Sequence, residues 1–117
     1  MDAEHDSFFA LPGTGALVIR AIGNLDFSST PALRDQVETA ARTPEATRMI
    51  IDLSEIGLCD SAGLGELLHA RKRCQASGIR LLLAGPPPNV RRRLAITGLT
   101  SLFEVFPSLS DALHHPG

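Results

Sequence analysis

The sequence predicts an α/β domain with a mostly parallel sheet. Segments with strand character alternate with amphipathic segments in the order β, β, α, β, α, β, α, β, α, which is typical of parallel strands joined by right-handed crossovers. Two apolar runs, at residues 49–53 and 79–84, show almost no polar alternation, as expected for strands covered on both faces. With 117 residues, 44% of them hydrophobic, the chain is expected to form one domain around a single core.

Five segments have the character of strands. The first two flank a Pro-Gly-Thr-Gly turn at residues 12–15, so they are expected to form a hairpin whose first strand pairs antiparallel at the sheet edge. Each of the other three follows a helical segment, and a connection through a helix favours parallel pairing. The predicted strands cover residues 7–11, 16–22, 49–53, 79–84 and 102–106.

Four helices are predicted from capping signals and apolar spacing. Thr30 before Pro31 predicts the first helix, because a hydroxyl can cap it and proline suits its first position. Asp60 and Ser61 are good N-cap residues for a second helix, which Ser77-Gly78 should end. The third helix is expected from about residue 90 until Gly98, and the fourth from Ser108 or Ser110 to Leu113.

Composition and charge exclude several function classes. The chain has 11 basic and 13 acidic side chains, a net charge of −2, and neither Trp nor Tyr, which argues against a nucleic-acid-binding module. No apolar run reaches the length of a membrane span, and the acidic N-terminus lacks a signal core. Cys59 and Cys74 are too far apart for a disulfide if a helix separates them, so a reducing, cytoplasmic location is expected. Residues 7–113 are the predicted domain, with flexible ends at 1–6 and 114–117.

The most informative segment is residues 59–65, Cys-Asp-Ser-Ala-Gly-Leu-Gly, between a buried strand and a helix. It places the Ser61 hydroxyl at a helix N-terminus, where backbone N–H groups lack intrahelical partners and the macrodipole is positive. Small residues at Ala62 and Gly63 leave the first turn open to close approach. A kinase or a docking partner could therefore reach this serine.

Three aspartates are predicted near the same end of the sheet. Asp26 follows the second strand, Asp52 ends the third, and Asp60 precedes Ser61, and ligands of such sheets gather at the carboxyl ends of strands. Simpler interpretations remain open: helix caps at Asp60 and Ser61, a turn residue at Asp26, and a backbone hydrogen bond at Asp52. An enzyme is not favoured, because no histidine is placed as a base and the Gly-x-Ser-x-Gly pattern is absent.

Two basic runs, at residues 71–73 and 91–93, could contact an anionic partner. Successive helical residues point about 100° apart, so three neighbours cannot share one face. A solvated helix surface is the favoured interpretation of both runs. Cys59 is likewise interpreted as a small buried hydrophobe rather than a reactive thiol.

The motifs resemble the STAS domains of anti-sigma factor antagonists. The resemblance is carried by Ile-Asp-Leu-Ser at residues 51–54, the segment 59–65, and Gly-Asn-Leu-Asp at residues 23–26, and it covers roughly residues 8–113. It implies a mixed sheet of four to five strands with helices mainly on one face. Two positions depart from the family pattern: Ala62 stands where many members have a second Ser or Thr, and Asn24 stands where Glu is frequent.

The resemblance also implies a function. The unphosphorylated protein would bind an anti-sigma factor that is itself a serine kinase and so release the sigma factor; the kinase would phosphorylate Ser61, and a separate serine phosphatase would restore the active form. No cofactor is implied for this chain, because the nucleotide and metal would belong to the kinase. A rival interpretation is a STAS subunit of a transporter or signalling assembly that needs no phosphorylation. The implied docking residues are Asp26, Asp60, Ser61, Ala62, Gly63 and Leu64.

Overall fold

The computed structural model describes residues 8–11 and 14–115, which contain one sheet of five strands. The strands are β1 (Phe8–Leu11), β2 (Ala16–Leu25), β3 (Arg48–Cys59), β4 (Arg80–Ala84) and β5 (Glu104–Phe106). They lie in the order β1-β2-β3-β4-β5, with β1 antiparallel to β2 and every other pair parallel. The predicted α/β class and the antiparallel edge strand are confirmed.

Helices cover the two faces of the sheet unequally. They are α1 (Thr30–Ala41), α2 (Ser61–Ala76), α3 (Pro88–Ile96) and α4 (Leu109–His114). The main core lies between one face of the sheet and α1, α2 and α3, whereas α4 alone covers a smaller apolar cluster on the other face. This arrangement confirms the expectation of helices mainly on one face.

The central strands are buried on both faces because their side chains alternate between the two cores. In β3, Met49 and Ile51 join the main core, and Ile50 joins the cluster beneath α4. In β4, Leu83 joins the main core and Leu82 joins the cluster beneath α4. The near-continuous apolar runs in the sequence therefore reflect two covered faces.

Two strands extend further than the sequence indicates. β2 continues to Leu25 rather than stopping at residue 22, and β3 continues to Cys59 rather than stopping at residue 53. β4 pairs with β3 only as far as Asp52, so the last part of β3 pairs with β2 alone. The end of the β2–β3 pair thus projects beyond β4 and carries the start of α2.

Of the two predicted flexible ends, only the C-terminal one contains described residues. Residues 1–6 and 116–117 lie outside the described residues. His114 belongs to α4, and the His115 ring lies 4.9 Å from the Phe106 ring, centroid to centroid. The backbone carbonyl of His115 also accepts a hydrogen bond from Arg48 at 3.1 Å. These two histidines are therefore part of the packed domain rather than of a loose tail.

Candidate functional site

The start of α2 displays the hydroxyl of Ser61. Asp60 is the N-cap residue, and its carboxylate accepts a hydrogen bond of 2.9 Å from the backbone N–H of Gly63. Ser61 is therefore the first helical residue, exposed at the surface, and its hydroxyl has no hydrogen-bond partner among the described residues. Its backbone N–H and that of Ala62 belong to the first turn, where intrahelical acceptors are lacking. A negatively charged group attached to Ser61 would be stabilised by the positive end of the helix dipole.

Gly63 brings the first turn of α2 against the end of β2. A Cβ atom at this position would overlap the carbonyl oxygen of Leu25 and lie 3.0 Å from the sulfur of Cys59. The same carbonyl accepts a hydrogen bond of 3.1 Å from the backbone N–H of Asp60. Glycine is thus required for close packing here, and this packing fixes where Ser61 sits.

Two asparagines support the projecting end of β3. The register between β2 and β3 shifts twice before Leu25, and the Asn24 side-chain oxygen accepts from the backbone N–H of Leu58 at 3.1 Å. On the other side, the Asn89 side-chain amide in α3 donates to the carbonyl of Gly57 at 2.6 Å. These side chains replace ladder hydrogen bonds that irregular pairing leaves unmade. Neither role could be identified from sequence, because each joins positions more than 30 residues apart.

Asp26 lies beside this site and stabilises the turn that precedes α1. Its carboxylate accepts hydrogen bonds from the Ser28 hydroxyl at 2.9 Å and from the backbone N–H groups of Ser28 and Ser29 at 3.1 and 3.2 Å. The Ser28 hydroxyl and these N–H groups hold the pKa of Asp26 below its ordinary value. Asp26 therefore acts locally as a turn residue. It lies near Asp60 because the backbone N–H of Asp60 donates a hydrogen bond to the carbonyl of the preceding residue, Leu25.

Asp52 does not join the other two aspartates. It lies in the middle of β3, paired with Arg20 and Ala84, and is seven residues before Cys59, roughly 20 Å at the usual strand rise. Its side chain is buried, accepts from the backbone N–H of Ser54 at 3.0 Å, and lies 3.9 Å from the Arg20 guanidinium. The expectation that three acidic groups meet is wrong because β3 is longer than its apolar run.

The residues proposed for docking differ in exposure. Asp60 and Ser61 are exposed, and Asp26 and Ala62 are half-buried. Gly63 and Leu64 are buried, and Leu64 packs into the main core. The exposed atoms of Asp26, Asp60, Ser61 and Ala62 are available to a partner, whereas Gly63 and Leu64 act by positioning the helix.

Exposed apolar side chains near the site are a further feature that the sequence does not reveal. Phe27 is 81% exposed in the turn after Asp26, and Leu58 is 63% exposed immediately before Cys59. Phe27 is two residues after Leu25, whose carbonyl accepts the hydrogen bond from Asp60, and Leu58 is three residues before Ser61 in the chain. No sequence signal separates an exposed Phe or Leu from a buried one in such irregular segments.

The titratable groups near the site serve structure. Burial raises the pKa of the Cys59 thiol, the negative charge of Asp60 adds to this, and Arg93 opposes it. Glu66 in α2 is buried, and its carboxylate pairs with the Arg34 guanidinium of α1 through contacts of 2.8–3.2 Å. This ion pair joins α2 to α1. No group of three His, Cys, Asp or Glu residues in the described ranges could hold a metal ion.

The chain is similar to other STAS proteins in sequence. The STAS domain family model matches residues 11–112. A STAS-domain containing protein of Pseudomonas aeruginosa is 35% identical over 98 residues, which cover 82% of this chain and 95% of that protein. The anti-sigma F factor antagonist of Paenibacillus polymyxa is 26% identical over 99 residues, 85% of each chain. Sulfate transporter 1.3 of Arabidopsis thaliana is 27% identical over 112 residues, which cover 85% of this chain but 17% of the transporter.

The fold is also found among solved structures. The anti-sigma factor antagonist SpoIIAA in its unphosphorylated form superposes with a TM-score of 0.73 and 25% identity, covering 91% of this chain and 92% of that one. The phosphorylated form of Bacillus SpoIIAA has a TM-score of 0.68 over 91% of this chain and 96% of that one, at 24% identity. Because the family model spans most of the chain and the fold agrees over nearly its whole length, this protein is a member of the STAS domain family.

Proposed function

We propose that this protein is an anti-sigma factor antagonist controlled by phosphorylation of Ser61. In its unphosphorylated form it binds an anti-sigma factor serine kinase in the cytoplasm and releases the sigma factor. The kinase then phosphorylates Ser61 and dissociates, and a serine phosphatase reverses the modification. The observation that carries the proposal is the exposed, unbonded hydroxyl at the first position of α2.

The switch follows from charge rather than from unfolding. A phosphate adds about −1.5 to −2 charges at pH 7, which the N-terminus of α2 favours and the neighbouring Asp60 partly opposes. A partner surface shaped for a neutral hydroxyl would have to desolvate or repel this dianion. A loss of about 4 kcal/mol in binding corresponds to roughly a thousandfold weaker affinity, which is enough for a switch.

The local geometry is compatible with phosphorylation of Ser61, in which its hydroxyl attacks the γ-phosphate of ATP held by the kinase and ADP leaves. The Asp60 carboxylate is tied to the Gly63 amide, so it holds the first turn and the serine in place. The Asp60 cap and the close packing of Gly63 against Leu25 fix the position of this turn relative to β2. Asp26 and Ala62 border this site, and the nucleotide and its metal belong to the kinase.

The test uses the anti-sigma factor kinases encoded in the same genome. Each is incubated with the purified protein and ATP, and the product is followed by intact mass. We expect one phosphate on the wild-type protein and none on Ser61→Ala, with Ser28→Ala as the matched control that still accepts one. We expect Ser61→Ala to bind the kinase constitutively and Ser61→Asp to bind poorly, with both variants folded.

The second candidate is a STAS subunit of a transporter or a larger assembly. The specific observation that favours it is the similarity to the STAS region of sulfate transporters. Such a protein would bind its partner with no change on phosphorylation. A chain that no kinase modifies, and whose partner binds Ser61→Ala and Ser61→Asp equally, would establish this second candidate. Among the described residues, the helices are too short or too polar to cross a bilayer.

A further inference from the structure

We infer that Asn24 and Asn89 are positioning residues for Ser61. They hold the single peptide unit between Gly57 and Leu58, and so set the direction in which the chain approaches α2. The inference rests on the proposed function only where phosphorylation of Ser61 is the readout. It gives a role at the site to both asparagines of the chain, which has no others.

The two side chains bind the two polar groups of one peptide unit. The Asn24 side-chain oxygen accepts a hydrogen bond of 3.1 Å from the backbone N–H of Leu58. The Asn89 side-chain amide donates to the carbonyl oxygen of Gly57 at 2.6 Å. In a trans peptide these two groups point in opposite directions, so the two asparagines approach from opposite sides. Because a backbone N–H only donates and a carbonyl only accepts, Asn24 acts as the acceptor and Asn89 as the donor.

This peptide unit depends on side chains because the pairing of the strands skips it. Between two successive pairs, β2 advances from residue 23 to residue 25, whereas β3 advances from residue 56 to residue 59. The extra residue of such a bulge has no partner in the ladder. On the other side, β4 pairs with β3 only as far as Asp52. The asparagines therefore supply the hydrogen bonds that the neighbouring strands do not.

Both asparagines project from fixed elements. Asn24 precedes the buried Leu25 in β2, and Asn89 lies in the first turn of α3, which Val90 and Leu94 anchor in the main core. Gly57 leaves room for the closer of these contacts: a Cβ atom there would lie 3.0 Å from the Asn24 side-chain oxygen. We call Asn24, Asn89 and the peptide unit of residues 57–58 the asparagine clamp.

The asparagine clamp directly precedes the segment that carries Ser61. Gly57 and Leu58 are exposed, so water alone would otherwise bind their peptide unit and leave it free to rotate. The next side chain, that of Cys59, is buried in the main core, and the backbone N–H of Asp60 donates to β2 at 3.1 Å. Rotation of the clamped unit would change the angle at which this segment enters α2, and with it the direction of the serine hydroxyl.

Aspartate at each position gives a crossed test, because a carboxylate accepts hydrogen bonds but does not donate them at pH 7. Asn24→Asp keeps an acceptor for Leu58, whereas Asn89→Asp turns a carboxylate oxygen toward the Gly57 carbonyl and opens the clamp. Both variants add one negative charge, so each is a control for the other. Since the N-terminus of a helix favours a carboxylate, Asn89→Asp should not lower the melting temperature. Asn24→Leu removes the acceptor at similar size and should also open the clamp.

Gln75→Glu is the control away from the clamp. It makes the same change from amide to carboxylate at an exposed position near the other end of α2. We expect it to leave both readouts below as they are in the wild type.

NMR of the isolated protein measures the clamp without any partner. We expect the Leu58 amide to exchange with solvent about tenfold faster in Asn24→Leu, and Asn24→Asp to restore most of its protection. In Asn89→Asp and Asn24→Leu, residual dipolar couplings of the N–H groups of residues 58–61 should change, whereas those of β4 should not. Unchanged couplings in Asn89→Asp would overturn the inference.

A kinase assay separates this inference from the proposed function. With a kinase that modifies Ser61, kcat should fall about tenfold for Asn89→Asp and Asn24→Leu, and KM should stay within about twofold, because the hydroxyl is misaligned rather than hidden. Asn24→Asp should recover most of the rate lost in Asn24→Leu. If Asn89→Asp is modified at the wild-type rate, the clamp does not position the serine and the proposed function stands. If no kinase modifies the wild-type protein, the proposed function is wrong, and the couplings alone decide whether the clamp orients residues 58–61.

Discussion

Substituting alanine for Gly63 should destabilise the protein and disturb the site, although alanine is the better helix former. The new Cβ would overlap the carbonyl oxygen of Leu25, a backbone atom that cannot rotate away. It would also lie 3.0 Å from the sulfur of Cys59, which is closer than almost any real Cβ contact. The first turn of α2 must therefore move away from β2.

The expected change in the free energy of unfolding of Gly63→Ala is the sum of opposing contributions. Overpacking costs about 1–3 kcal/mol. Weakening the hydrogen bond from Asp60 to Leu25 costs about a further 1 kcal/mol. The higher helix propensity of alanine returns about 1 kcal/mol. The expected net loss is therefore about 1–3 kcal/mol of unfolding free energy.

Gly65 provides the matched control within the same helix. A Cβ at Gly65 meets no atom within 4 Å, so Gly65→Ala should stabilise the protein by about 0.5–1 kcal/mol. Urea denaturation of both variants measures the difference, and phosphorylation of the folded proteins reports the displacement of Ser61. If Gly63→Ala proves as stable as Gly65→Ala and is phosphorylated at the wild-type rate, the close packing of α2 on β2 does not position the serine.

Three further predictions concern the site and its surroundings. Asp60→Ala removes the helix cap and should cost about 1 kcal/mol of unfolding free energy, while Asp60→Asn should keep most of the stability. Both variants should slow phosphorylation of Ser61. If Asp60 acted only as a cap, Asp60→Asn would be phosphorylated at the normal rate. Cys59 and Cys74 should resist alkylation at pH 8 in the folded protein and react rapidly in urea, because burial raises both pKa values, that of Cys74 to about 11; equal rates in the two conditions would refute their burial. Hydrogen bonds from Ser28 and from Arg80 lower the pKa values of Asp26 and Glu104 in the folded protein. The two carboxylates therefore stabilise the fold fully above their unfolded pKa values, and this stabilisation is lost as the pH falls through their folded pKa values. The urea midpoint should be level from about pH 7 to 5 and fall below about pH 4.5, and a midpoint that rises there would contradict this sign.

Much of the fold could be predicted from local signals. The start of α2 at Ser61 follows from the cap at Asp60, and the start of α1 follows from Pro31 in its first turn. The capping role predicted for Thr30 is wrong, because Thr30 is already helical and Ser29 is the N-cap residue, without a side-chain cap hydrogen bond. The two buried strands follow from their apolar runs, since a strand covered on both faces has no polar side. These features depend on neighbouring residues, so the sequence contains them directly.

The extension of β3 could not be predicted because it depends on tertiary pairing. Residues 54–58, Ser-Glu-Ile-Gly-Leu, lack the pattern of a strand, yet they pair with β2 through a shifted register and with Asn24 and Asn89 side chains. This extension displaces Asp52 from the site. It also explains the exposure of Leu58, which has no covering element at the projecting end.

The site itself was predictable in part. The position of Ser61 follows from its cap, but the burial of Leu64 and the packing role of Gly63 follow from contacts with β2 and the core. The buried Glu66 was also missed, because its partner Arg34 lies 32 residues away on α1. Polar residues inside a helix normally face solvent, and only the tertiary ion pair reverses this for Glu66.

The most direct test of the central claim is the affinity of the kinase for the protein in its two chemical states. Calorimetry would compare unmodified protein with protein carrying one phosphate on Ser61, with circular dichroism to establish that both are folded. We predict that the phosphate weakens binding about a thousandfold and leaves the fold intact. Equal affinity of the two folded forms would contradict the claim that charge on this one hydroxyl controls association.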